Sequence, residues 1–124
     1  MINLYAAWLS MLLGAVAGAI VGLFFYNKDF LGGYTSWPRR MIRLGHISFF
    51  GIGLINLSFA LSVKPLELPQ TPQIPSILLI VAAVTMPLLC YLSAFKPLFR
   101  HLFFIPASSV ILALGLFCWR IFQL

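Results

Sequence analysis

Four apolar runs divide the chain, at residues 4–26, 38–62, 76–95 and 97–122. A helix needs about 20 predominantly apolar residues to cross a hydrocarbon layer of ~30 Å at 1.5 Å per residue. Each run meets that requirement, and the first charged residue in the chain is Lys28. The runs are apolar on every face and do not alternate, which excludes membrane strands. Composition agrees: 62% of residues are hydrophobic and 8% charged, against about 25% charged in ordinary soluble domains. Two acids and eight bases cannot cover a soluble surface. The expectation is an all-α integral membrane protein, a single domain over residues 1–124 with four transmembrane helices in a compact bundle. Four spans leave only short loops, with no room for a soluble catalytic domain.

Prolines punctuate the spans. Pro38, Pro75 and Pro97 stand at helix openings, where a missing N–H costs nothing. Pro87 and Pro106 lie inside the third and fourth runs and are expected to kink them. Ala15-Val16-Ala17 has the small-x-small look of a signal cleavage site. No basic segment precedes it and the apolar run continues beyond it, so the first run is expected to be retained as a span.

Lys and Arg placement sets the expected orientation. Lys28, Arg39, Arg40, Arg43, Lys96 and Arg100 fall on the side of the first and third loops, and Lys64 and Arg120 on the other. The positive-inside rule then puts loops 27–40 and 95–97 in the cytoplasm and both termini outside. The expected setting is a bacterial cytoplasmic membrane with anionic lipids as partners, which accounts for the net charge of +6 without nucleic acid.

The loops differ in character. Residues 27–38 contain Gly32-Gly33 and the aromatic set Phe30, Tyr34 and Trp37, which suits an ordered segment at headgroup level. Ser36, before Trp37-Pro38, is a candidate N-cap for the second span. Residues 63–75 carry four prolines and are expected to be extended and stiff. Cys90 and Cys118 are expected about 20 Å apart in depth, too far for a disulfide, and read as small buried apolar residues.

The strongest packing signal is a ridge of small residues on the first span. Ala6, Ser10, Gly14, Gly18 and Gly22 recur every four residues, two overlapping small-xxx-small motifs at their core. The ridge suits close approach of another helix, either within the chain or from a second copy or partner subunit. Asn56 is the main polar group expected in the middle of the bilayer, where it can hydrogen-bond across helices or belong to a permeation path.

Any chemistry lies with His46 and His101, each about one turn inside spans that run in the same direction. Gly53 and Ser108 follow them by seven residues, two turns along the same faces. Parallel histidines above small residues can hold a b-type haem, with Arg39, Arg43 and Arg100 available to propionates or lipid phosphates. The arrangement is similar in outline to the paired histidines of membrane cytochromes b, without a shared motif. A copper or zinc site using His46, His101 and Cys90 lacks a recognisable ligand spacing. The only carboxylates, Asp29 and Glu67, are expected on opposite sides of the membrane, so they form neither an acid pair nor an intramembrane proton relay. The leading expectation is a non-catalytic accessory or assembly subunit of a larger membrane protein complex, with respiratory and photosynthetic complexes as candidates. A haem b electron carrier using His46 and His101 comes second, and a small-solute transporter third.

Overall fold

The structure, a computed structural model, describes residues 2–68 and 71–124. It is an all-helical bundle of α1 (Ile2–Phe25), α2 (Trp37–Ser62), α3 (Gln73–Phe95) and α4 (Phe104–Ile121). All four spans are long and apolar enough to cross a membrane. α1 packs on α2, α2 on α3, and α3 on α4, while α1 touches α3 only lightly. The exposed surface is the surface of a protein solvated by lipid: Trp8, Leu23, Ile111 and Trp119 are each more than half exposed. In water that much apolar area would drive aggregation.

Two apolar clusters tie the ends of the bundle. At one end Phe59, Leu68, Leu79, Ala113 and Phe117 pack together, with Phe59 and Phe117 edge to face at 4.8 Å. At the other, Met41, Ile42 and Ala94 gather Val21, Phe25, Trp37 and Phe103. This second end also carries Lys28, Arg39, Arg40, Arg43, Lys96 and Arg100, and is called the basic end below.

The helix starts follow the expected chemistry at α2 and depart from it at α4. Ser36 is the N-cap of α2: its hydroxyl accepts from the Arg39 amide, and Pro38 occupies the first turn. Trp37 then closes the α2–α3 seam by donating its indole N–H to the Ser93 carbonyl at 2.8 Å. The fourth run, expected to be one helix from residue 97, is instead a 3₁₀ segment, Pro97–Leu102, followed by α4 from Phe104. Pro106 therefore lies in the first turn of α4, where its missing N–H is one of the free donors, rather than kinking a helix interior. The 18 residues of α4 reach only about 27 Å, and the 3₁₀ segment completes the crossing. Pro87 does lie inside α3.

Loop 63–72 differs from the extended expectation. Residues 63–67 coil back on the end of α2, with the Leu66 amide donating to Ser62, Glu67 to Lys64 and Leu68 to Val63. The reason is apolar: the coil delivers Leu68 into the core cluster, where it is 8% exposed. Residues 69 and 70, within the stretch expected to be stiff, lie outside the described residues. Loop 26–36 is ordered through a 3₁₀ turn at Phe30–Gly32, where Phe30 stacks on Phe24 at 5.4 Å. Gly32 and Gly33 both take positive φ to turn the chain into α2.

Candidate functional site

Three polar features stand out in an otherwise apolar bundle: a buried amide network, an arginine cap and a basic surface depression.

The amide network joins three helices. Asn3, Asn56 and Ser76 are all buried. The Asn3 side-chain amide donates to Asn56 Oδ1 at 2.8 Å and to the Ser76 carbonyl at 3.1 Å, while the Ser76 hydroxyl donates to Asn3 Oδ1. Asn56 donates in turn to the carbonyls of Ile52 and Leu79, at 3.0 and 3.1 Å. Each amide nitrogen thus gives two bonds and each amide oxygen accepts one, so the network is self-satisfied. Its partners Asn3 and Ser76 lie in the first turns of α1 and α3, which places Asn56 toward that end of the bundle. Sequence reading singled out Asn56 and missed Asn3 and Ser76, since a polar residue at the edge of an apolar run looks like ordinary flanking sequence.

Arg39 caps the opposite end of α1. It was expected to meet phosphate or propionate, but it is buried at 4% exposure. One guanidinium nitrogen donates to the Phe25 carbonyl at 2.6 Å, and the other to those of Asn27 and Lys28, at 3.3 and 3.1 Å. A helix leaves its last carbonyls unpaired and its C-terminus partly negative, so a cation bound there answers both needs. The guanidinium also lies 4.4 Å from the Phe25 ring centroid.

The small-residue ridge of α1 meets α2 along part of its length. Ser10 donates to the Phe49 carbonyl at 2.7 Å. A Cβ at Gly14 would stand 2.8 Å from Phe50 and 2.9 Å from Phe49, and one at Gly18 would overlap the His46 ring. Among the described residues nothing lies within 4 Å of a Cβ built at Gly22, at the end of the ridge.

This packing decides where His46 points. Its Cε1 and both ring nitrogens face α1 at Gly18, and its ring sits edge-on to Phe50 at 5.4 Å. Gly53, two turns on, is covered by Ala7, Ser10 and Met11 of the same helix. His101 belongs to the 3₁₀ segment and is exposed, as is Arg100 beside it. Ser108 is exposed and donates to the carbonyls of Phe104 and Ile105. The α2 face that carries His46 and Gly53, expected to share a flat ring with the fourth span, is covered by α1. Among the described residues no cluster of three or more His, Cys, Asp or Glu is placed to hold a metal. Cys90 is buried against α2, whereas Cys118, expected to be buried, faces outward.

The depression lies on the outer face of α2 at the basic end. Arg40, Met41, Arg43, Leu44 and Ile47 line a hollow of about 300 Å³. The Arg43 guanidinium lies 4.0 Å above the Tyr34 ring centroid, and its Nη1 has no hydrogen-bond partner. Comparison with family models, curated proteins and solved structures finds no match.

Proposed function

We propose that this chain is a non-catalytic accessory or assembly subunit held within a larger membrane complex. The observation that supports this reading is a set of glycines that no other described residue covers. Gly14, Gly18, Gly45 and Gly53 each face a neighbour that leaves little or no room for a Cβ. Gly22, Gly51 and Gly115 face open space. Glycine costs a helix about 1 kcal/mol relative to alanine, and lipid tails do not call for it. A closely approaching partner helix does.

Gly51 is the best placed of the three. It lies in an exposed stripe of α2, Leu44, Ile47, Gly51, Leu54, Ser58 and Leu61, whose steps alternate between four and three residues. That is the spacing of a helix–helix seam. The docking surface in this reading is the outer face of α2, with Gly22 and Gly115 as lesser points of approach.

Extraction of the native membrane in mild detergent, followed by native electrophoresis, tests the reading. The chain should migrate in an assembly well above its 13.9 kDa mass, and Gly51→Leu should release it while its helical content is unchanged. Migration as a single chain, or an assembly indifferent to Gly51→Leu, would count against it. A Soret band lost in both His46→Ala and His101→Ala would put the electron-carrier reading in its place.

A further inference from the structure

We propose that the depression at Arg40 and Arg43 is a binding site for one anionic phospholipid, phosphate at the arginines and acyl chain along α2. The inference goes beyond the subunit reading but shares Leu44 and Ile47 with it: the acyl chain would occupy the basic-end margin of the same α2 face.

Four observations carry it. First, the chain has eight Lys and Arg against two carboxylates, so most of its cations need counter-charge from outside. Second, Arg39, Arg40 and Arg43 divide their labour. Arg39 spends both terminal nitrogens on backbone carbonyls of α1 and its flanking turn, leaving only Nε without a partner, whereas Arg40 is exposed and the buried Arg43 Nη1 has no hydrogen-bond partner among the described residues. Third, the Arg43 guanidinium lies 4.0 Å from the Tyr34 ring centroid, a contact that anchors the side chain at the rim of the hollow before any ligand arrives. Fourth, the remaining lining, Met41, Leu44 and Ile47, is apolar and runs from the arginines toward the middle of the helix. A basic head above an apolar floor has the polarity of a phospholipid, and free phosphate would have no use for the floor. At the end of a membrane span, arginine side chains stand at headgroup level.

Native mass spectrometry of the full chain released from phosphatidylcholine nanodiscs doped with phosphatidylglycerol tests the assignment. One phosphatidylglycerol should remain bound in preference to phosphatidylcholine. Arg40→Gln and Arg43→Gln should each weaken that preference about fivefold, the loss expected for one basic residue near a membrane surface. Arg120→Gln, at the opposite end, should leave it unchanged. Arg40 is exposed and its substitution does not threaten the fold, so that variant decides the matter even if Arg43→Gln misfolds. A preference unchanged in Arg40→Gln overturns the site. Displacement of the lipid by inorganic phosphate overturns it in favour of a free-anion site.

Discussion

The side-chain amide of Asn3 donates to the side-chain carbonyl of Asn56 across 53 positions of sequence, at 2.8 Å and out of reach of solvent. Because Ser76 closes the other side of Asn3, a single polar knot registers α1, α2 and α3 against one another along the membrane normal. Lipid-facing apolar packing specifies no such register, since one leucine contact resembles the next.

Replacing Asn56 with Leu should destabilise the bundle by about 1–3 kcal/mol, because it leaves the Asn3 amide short of a partner in a dry interior. Asn3→Leu should cost a similar amount. The double variant should cost clearly less than the sum of the two, since the partners of each are then removed together. Reversible unfolding in mixed detergent micelles reads all three.

Gly18→Ala and Gly22→Ala should part company, although both belong to one ridge. At Gly18 the added methyl overlaps the His46 ring, and overpacking of that kind costs about 1–3 kcal/mol. At Gly22 it meets nothing, so intramolecular stability should be unchanged or raised by up to about 1 kcal/mol. His46→Ala should rescue Gly18→Ala in part, and thermal unfolding of the four proteins checks the pattern.

Arg39→Lys should fail to replace arginine. An ammonium cannot reach the carbonyls of Phe25, Asn27 and Lys28 together as the planar fork does. The expected loss is about 1.5–3 kcal/mol, that of a hydrogen bond to a charged group. Amide exchange should accelerate first in the last turn of α1.

Thr35→Cys and Gln123→Cys, both at exposed positions, should react with a membrane-impermeant maleimide from opposite faces. In intact cells only Gln123→Cys should label, as the placement of basic residues implies. Labelling of Thr35→Cys from outside inverts the orientation, and labelling of both revises the number of spans.

How much of this was legible in the sequence depends on which force fixes each element. Hydropathy located the four spans because lipid solvation acts on every residue of a run, and the Ser36-Trp37-Pro38 pattern marked the start of α2 because capping is local. The 3₁₀ segment at Pro97–Leu102 escaped, since Leu98, Phe99 and Leu102 continue the apolar run and hydropathy does not tell a 3₁₀ turn from an α-helix. The glycine ridge was visible but its neighbour was not: only the fold shows that Gly18 meets His46, and with that the direction of the imidazole. Arg39 and Arg40 are identical in sequence terms, and their opposite fates depend on where α1 ends in space.

Among the described residues, the side-chain hydrogen bonds that cross between helices join α1, α2 and α3, and the serine hydroxyls of α4 turn back on their own helix. The amide network of the first three helices is therefore complete without α4. The nascent chain need not hold naked amides in the bilayer awaiting its last segment. α4 adds apolar contacts, Ala113 and Phe117 among them, to a scaffold whose amide network is already closed.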